Sequence, residues 1–148
     1  MTVTPTAPDR PFQEGGFATL TEALDRAAQG PTGLNLYGLR GELIEALPYA
    51  TLRERARAMA GRLLAAGLKP LDRVGLVAET DADFITAFFA CQYARLTPVP
   101  LPLPAPLGGR DAYVEQIGRM LASARAAAVF GNEPLLPWLR DAADSAGV

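Results

Sequence analysis

Short apolar runs alternate with helical segments three times between Arg73 and Ala146. The runs are RVGLVA at 73–78, a strand from Thr97, and AAAVFG at 126–131. Strands joined by helices of this length lie parallel, with right-handed crossovers. Since 73–78 is apolar throughout, we expect it to be covered on both faces. The pattern predicts an α/β fold, a three-layer, mostly parallel sheet with flanking helices. We expect those helices at about residues 81–96, 111–124 and 132–146.

Five prolines occupy every second position from Pro98 to Pro106, in TPVPLPLPAP. In an extended strand, N–H groups two residues apart point to the same edge. The prolines therefore remove donors from one edge and leave those of Val99, Leu101 and Leu103 at the other. This predicts a strand that pairs well on one side only. A stiff linker is the alternative, and a PxxP docking motif is disfavoured because no two of these prolines are three residues apart.

The region before this alternation predicts an arm, a helix and a β-hairpin. Residues 1–16, rich in Thr, Pro and Gly, are expected to form a flexible N-terminal arm, with one folded unit over 17–148. A capping box, Thr19-Leu20-Thr21-Glu22, opens a helix that Gly30-Pro31 ends. The extended runs GLNLYG and ELIEALPY, separated by Leu39-Arg40-Gly41, then predict a short hairpin.

A second capping box, Thr51 to Glu54, predicts the start of a longer helix that Gly67 ends in a left-handed conformation. Its arginines lie opposite an apolar face, which we interpret as a core face. The face comprises Leu52, Ala56, Met59, Ala60, Leu63 and Leu64, and the arginines are Arg53, Arg55, Arg57 and Arg62.

Charge and cysteine content narrow the classes of function. The net charge is −2 and histidine is absent, so nucleic acid is an unexpected partner and the commonest general base is missing. A single cysteine excludes a disulfide framework within the chain and makes a structural zinc site unexpected. Cys91 has only Arg95 as a nearby cation and is interpreted as a buried side chain, not a nucleophile. Without a signal segment or an apolar run of spanning length, we expect a cytoplasmic protein with no membrane span.

The first strand-to-helix junction, AETDADF at 78–84, is where a dinucleotide-binding fold would place its glycines. Glu79, Asp81 and Asp83 would instead repel a pyrophosphate there, and they are interpreted as acids that complement a helix N-terminus. A Rossmann oxidoreductase is therefore disfavoured.

A weaker anion candidate is Gly108-Gly109 before Arg110, although a glycine pair before a helix is more often a turn. Acid/base pairs could also be drawn from Glu45, Glu79, Asp81 and Asp83, but charged residues at strand and helix ends are usually solvated, and nothing in the sequence fixes their separation. We therefore predict no catalytic, cofactor-binding or metal-ligating residue in these 148 residues.

Four motifs of the chain belong together as a family pattern: Tyr49 with Leu52, Gly67 to Val74, Asp83-Phe84, and Val99 to Pro102. Through them, from Phe17 to about Gly131, the chain resembles the N-terminal part of the AMP-forming acyl ligases, or adenylate-forming enzymes, and most closely their fatty-acyl-AMP ligase branch. Leu71 and Arg95 depart from the family pattern because glycine is usual at both positions, which puts those two turn conformations in doubt.

The resemblance implies ATP- and Mg²⁺-dependent activation of a fatty acid to an acyl-adenylate, with release of pyrophosphate. Coenzyme A or an acyl carrier protein would then accept the acyl group. The family's phosphate loop, acidic ribose ligand and C-terminal lysine lie downstream of such a segment, and Gly30-Pro31-Thr32-Gly33 does not match the loop. We therefore expect a scaffold segment of the large N-terminal adenylation domain, inactive alone, whose main partner is the rest of that domain. Val148 falls where a further strand would begin.

Two other functions remain open at this point. One is a free-standing interaction module that pairs with a partner, or with its own copy, through an exposed sheet edge. The other is a nucleotide-binding enzyme complete in itself, which would require a phosphate-cradling loop that the sequence does not offer.

Overall fold

The computed structural model describes residues 15–106 and 108–148. Apart from residues 15 and 16, the arm predicted over 1–16 lies outside the described residues. The elements are α1 (Leu20–Ala27), β1 (Gly33–Tyr37), β2 (Leu43–Pro48), α2 (Tyr49–Ala65), β3 (Arg73–Val77), α3 (Ala82–Tyr93), β4 (Thr97–Leu101), α4 (Gly109–Ala124), β5 (Ala126–Phe130) and α5 (Leu136–Ala146), with a 3₁₀ turn at Glu133–Leu135. No helix in the described residues is long and apolar enough to cross a bilayer.

A three-stranded parallel sheet in the order β4-β3-β5 forms the centre of the fold. On one face, Val74 and Leu76 of β3 pack against α2 and α3. On the other, Val77 and Leu101 pack against α4 and α5. These three layers confirm the predicted α/β class, and the four buried residues of β3 confirm a strand covered on both faces.

The proline-rich strand β4 lies at the edge of this sheet and pairs with β3. At its two ends, the N–H of Thr97 donates to the Asp72 carbonyl at 2.8 Å, and the Leu101 carbonyl accepts from Ala78 N–H at 2.9 Å. The alternation of a strand then directs Pro98 and Pro100 to the opposite edge, where their missing donors cost nothing. The one-sided strand is confirmed, and the linker interpretation is wrong for 97–101.

The first capping box and the hairpin also form as predicted. Thr19 Oγ1 accepts from Glu22 N–H at 3.2 Å, while a Glu22 carboxylate oxygen accepts from Ala18 N–H at 2.9 Å. β1 and β2 are antiparallel, and Gly41 takes a φ of 79° in the turn between them.

The second capping box is wrong, because α2 begins at Tyr49 with Pro48 as its N-cap. β2 runs directly into the helix: the φ of Pro48 is −57°, and Tyr49 N–H donates to the Thr32 carbonyl at 3.0 Å. Proline suits a helix start because it has a fixed φ and no N–H. Thr51 therefore lies inside the helix, and its hydroxyl does not cap the helix N-terminus.

The predicted apolar face of α2 is buried except at Leu64, which is 44% exposed. Leu64 follows the buried Leu63, and one helical step turns a side chain by about 100° away from its predecessor. Gly67 has a φ of 99°, so the predicted left-handed end of the helix is confirmed.

Three residues other than glycine adopt left-handed backbone conformations where the chain enters the sheet: Leu71 with φ 75°, Arg95 with φ 59° and Arg125 with φ 49°. Such a conformation costs about 1–2 kcal/mol per residue with a Cβ. A cation beside a helix C-terminus returns only about 0.3–1 kcal/mol. The turns at Leu71 and Arg95, which the sequence put in doubt, thus adopt the left-handed conformation that glycine favours in spite of this cost. Leu71 N–H donates to the Arg95 carbonyl at 2.8 Å and joins the two turns.

One carboxylate attaches α1 to the longer helices. Asp25 Oδ1 accepts from Arg53 Nε at 2.7 Å and from the Tyr93 hydroxyl at 2.7 Å. Burial opposes ionisation of Asp25, but the hydrogen bonds from Tyr93 and Arg53 outweigh it, together with the charges of Arg53 and Arg57, and hold its pKa below the ordinary value.

Candidate functional site

The carboxyl ends of β3 and β5 are the natural position for a site in this fold. The chain leaves β3 on one face of the sheet toward β4, and returns along the other face to β5. In open α/β sheets, a crevice forms where neighbouring strands send their crossovers to opposite faces, and ligands bind there.

A cavity of about 710 Å³ opens at this position, between α2, α3 and the end of β5. Its apolar wall is continuous with the core cluster around α2 and α3, and Phe130 at its rim is 40% exposed. The charged and polar side chains around it are Arg55, Arg62, Glu79, Asp81, Asp83, Thr86 and Asn132; the larger apolar ones are Met59, Leu63, Leu76, Val77, Phe84 and Phe130.

The acids of the β3–α3 junction are engaged by the chain's own groups. Asp81 is the N-cap of α3, and its Oδ1 accepts from Phe84 N–H at 2.7 Å. Asp83 lies in the first turn of the same helix, where a negative charge is favourable. Glu79 accepts from Asn132 Nδ2, which joins the ends of β3 and β5. The interpretation of Asp81 as an acid that complements a helix N-terminus is confirmed.

The two arginines of the cavity rim come from the side of α2 that we predicted to face away from the core. Arg55 Nη1 donates to Glu45 Oε1 at 3.0 Å, so Glu45 is the ion-pair partner of Arg55. Arg55 and Arg62 are seven residues apart, two turns of helix, and therefore share one face of α2. The seven-residue spacing could have predicted from the sequence that the two arginines lie together. That they border a cavity beside the end of β5 is visible only in the structure.

Thr86 is a polar residue of this region that sequence reasoning missed. It is 8% exposed on α3, and its Oγ1 is buried without a hydrogen-bond partner in the described residues. A buried hydroxyl without a partner is costly, and no local pattern in AETDADF or in the following helix points to it.

The glycine pair that we considered as an anion site lies elsewhere. Gly108 is the N-cap of α4, and Gly109 opens the helix with a φ of 69°, so the predicted start at Asp111 is two residues late. Arg110 forms ion pairs with Asp111 and Asp141. Because its guanidinium already faces two carboxylates, this corner is a weak binding site for a further anion.

The remaining candidates of the sequence are structural. Cys91 is fully buried in α3, and burial raises the pKa of its thiol to about 11, which makes it a poor nucleophile at neutral pH. Thr32 and Gly33 of the Gly-Pro-Thr-Gly stretch lead into β1. Within the described residues, no group of three or more His, Cys, Asp or Glu side chains could hold a metal ion.

The cavity does not fit a magnesium-bound triphosphate. The N-terminus of α3, the natural anion site at this junction, has Asp81 as its cap, and three carboxylates line the cavity against two arginines. Of these arginines, Arg55 is paired with Glu45. The geometry suits an apolar or mixed protein surface better than a polyphosphate.

Comparison with known proteins identifies relatives of this chain. The profile of the AMP-binding enzyme family matches residues 25–146. A protein of Caulobacter vibrioides, provisionally assigned as an acyl-CoA synthetase, is 56% identical over 99% of this chain and 26% of its own length.

Solved structures give the same picture. A chain from a structural and functional study of fatty acyl-adenylate ligases from E. coli and L. pneumophila is 44% identical, with a TM-score of 0.85, over 90% of this chain and 24% of its own. The fatty acyl-adenylate ligase from L. pneumophila, solved with acyl adenylate and pyrophosphate, is 27% identical with a TM-score of 0.71, over 83% of this chain and 21% of its own. The chain thus spans about a quarter of the length of these relatives.

Proposed function

This chain belongs to the AMP-binding enzyme family, and from that premise we propose that it serves as a scaffold segment in a fatty-acyl-AMP ligase. It corresponds to the N-terminal segment of an adenylate-forming enzyme. Residues 17–148 would form the first part of the large adenylation domain, preceded by an arm at 1–16. The observation that carries the fatty-acid assignment is the 44% identity and TM-score of 0.85 with a chain from the fatty acyl-adenylate ligase study.

Enzymes of this family use ATP and Mg²⁺, and the proposed reaction is activation of a fatty acid to its adenylate in the cytoplasm. Such chemistry needs cations and N–H donors around the α-phosphate. The carboxylates around the 710 Å³ cavity oppose that role, so these groups must come from polypeptide outside the 148 residues. The segment's part in catalysis would then be to support the walls of the acyl and nucleotide sites.

The sheet itself indicates where the rest of the domain would attach. β4 turns Pro98 and Pro100 outward at one edge, which disfavours pairing there. In the described sheet β5 pairs with β3 alone, so its other edge is available. Phe130, the last residue of β5, is 40% exposed, and the cavity opens at the same end of the strand. We therefore place the partner surface at β5.

Two measurements test the proposal. The chain of 148 residues should show neither acyl-adenylate formation nor ATP binding by isothermal titration calorimetry in the presence of Mg²⁺. A chimera in which residues 17–148 replace the matching segment of the Caulobacter vibrioides relative should form fatty-acyl adenylates, whereas that relative without the segment should form none. Micromolar ATP binding to the chain alone would overturn the scaffold role, and a folded chimera that forms no fatty-acyl adenylate would overturn the assignment to a fatty-acyl-AMP ligase.

The available β5 edge also supports the second candidate, an interaction module that pairs through this edge. That function predicts a stable dimer of the 148-residue chain in sedimentation velocity, which Phe130→Lys disrupts. Leu64→Lys is the matched control, because Leu64 is 44% exposed and Phe130 40%, but Leu64 lies on α2. A monomer at all concentrations counts against the module.

A further inference from the structure

The amino edge of the parallel sheet carries a cluster of cations that the proposed function does not use. Arg73 opens β3, Arg95 lies two residues before β4, Arg125 lies one residue before β5, and Lys69 is in the turn before β3. All four side chains are exposed. Within the described ranges, none of the four forms an ion pair with a carboxylate. We call these four residues, with Leu71, the amino-edge cluster.

The backbone brings the members of this cluster together. Arg73 Nε donates to the Arg125 carbonyl at 3.2 Å, so this guanidinium lies between the starts of β3 and β5. Leu71 N–H donates to the Arg95 carbonyl at 2.8 Å, which joins the turn before β3 to the turn before β4. Adjacent strands lie about 4.8 Å apart, and the three arginines follow one another across the edge in the order Arg95, Arg73, Arg125, with Arg95 two residues and Arg125 one residue behind the level of Arg73.

Backbone strain sets three residues of this edge apart. Leu71, Arg95 and Arg125 all hold left-handed conformations that glycine would adopt without strain. For Arg95 and Arg125, the favourable interaction of a cation with a helix C-terminus is smaller than the cost of the left-handed backbone. Leu71 is uncharged and gains nothing from a helix dipole. Leu71 is also 73% exposed, so burial in the fold does not compensate for it either. The left-handed turns at Arg95 and Arg125 end α3 and α4 with backbone hydrogen bonds, but glycine would make the same turns without strain. A strained residue kept where glycine would serve is a reason to look for a function.

We propose that the amino-edge cluster docks an acidic helix of another protein. Along one face of a helix, residues three or four apart are spaced by about 5–6 Å, close to the interval between strands. Glutamates at i, i+4 and i+7 could therefore each meet one of Arg95, Arg73 and Arg125. Arginine forks bind carboxylates in bidentate fashion, and Leu71 supplies an apolar contact beside them. Asp72 also lies at this edge, but its carboxylate accepts from Lys69 N–H at 2.8 Å. Cations whose backbones are joined by hydrogen bonds favour an ordered partner over diffuse anionic lipid headgroups.

The test uses an end-blocked, fluorescent 18-residue helical peptide with glutamates at i, i+4, i+7 and i+11 and a flanking leucine. Fluorescence anisotropy should show binding to the 148-residue chain that weakens steeply between 50 and 300 mM salt. The double variant Arg95→Asn/Arg125→Asn should bind at least 10-fold more weakly. Its melting temperature should be unchanged or higher, because asparagine tolerates the left-handed region.

The control variant is Arg40→Asn/Arg140→Asn, which removes the same charge from the hairpin turn and from α5, and it should bind the peptide like the unmodified chain. Leu71→Gly should weaken binding about threefold while raising the melting temperature. Equal loss of binding in both double variants would show attraction by net charge alone and overturn the proposal. Binding to phosphatidylserine vesicles without binding to the peptide would also overturn it.

Discussion

A single added methyl group at Gly75 should destabilise this fold measurably. Gly75 lies in the middle of β3, and a Cβ there would stand 2.8 Å from Leu101 Cδ1 and 2.8 Å from Leu121 Cδ2. Both leucines are buried, at 1% and 0% exposure, so neither side chain can move into solvent. The backbone of Gly75 is not left-handed, and the cost of Gly75→Ala is therefore one of overpacking alone.

Overpacking a well-filled core costs about 1–3 kcal/mol, which for a domain of this size corresponds to a fall in melting temperature of about 2–12 °C. Circular dichroism melts and urea titrations would measure it. Gly61→Ala is the matched control: Gly61 lies in α2 with no atom within 4 Å of its would-be Cβ. The same substitution there should stabilise the chain by about 0.5–1 kcal/mol.

The attribution to Leu121 can be tested separately. In a Leu121→Ala background, Gly75→Ala should cost about 1 kcal/mol less than in the unmodified chain, because one of the two clashing atoms is gone and the space it leaves lets Leu101 shift. A Gly75→Ala chain as stable as the unmodified one, or an unchanged cost in the Leu121→Ala background, would refute the packing argument.

Three further outcomes follow from named contacts. Asp25→Asn should lower the free energy of unfolding by about 1 kcal/mol at pH 7 in urea titrations, because a charged hydrogen-bond acceptor is lost. Since the folded-state pKa of Asp25 is depressed, its contribution is fully present above the ordinary value of 3.8 and is lost as the pH falls through the lower folded-state value, so the difference in stability between the two chains should shrink in acid. Cys91, with a thiol pKa of about 11, should resist a disulfide reagent at pH 8 until urea unfolds the chain, and rapid native-state labelling would contradict its burial. Thr86→Val should raise the free energy of unfolding by about 1 kcal/mol in urea titrations, because it removes a buried hydroxyl without a hydrogen-bond partner. A fall in the free energy of unfolding would show that the hydroxyl does have a partner.

The sheet was predictable because its signals are local. The apolar run of β3 and the alternating prolines of β4 each determine, within a few residues, which faces and edges can be buried or paired. The start of α2 was not predictable in this way. Thr51 and Glu54 form a valid capping pattern, but the carbonyl of Thr32, on the other side of the hairpin, binds Tyr49 N–H and starts the helix earlier.

The cavity required knowledge that no local pattern contains. Arg62 appears in the sequence as part of a solvated face, and Phe130 as the end of a buried strand. They line one cavity because the crossover through α4 places β5 beside β3, on the side opposite β4. The direction in which a strand is added depends on long-range packing, so the residues that meet across this crevice were out of reach of periodicity arguments.

The parallel topology gives the two edges of the sheet different electrostatic preferences. Every helix that follows a strand begins at the carboxyl edge and ends at the amino edge, so the helix dipoles favour carboxylates at the first and cations at the second. At the carboxyl edge Asp81 is used by α3 itself as its cap, which makes this junction a poor site for nucleotide phosphates. In the proposed ligase, the nucleotide's negative charge must therefore be held away from the β3–α3 junction, by donors outside the described residues. At the amino edge, the helix dipoles do not account for arginine at positions 95 and 125, because the left-handed backbone of each costs more than the dipole interaction returns. The proposed docking of an acidic helix gives these two side chains a function there.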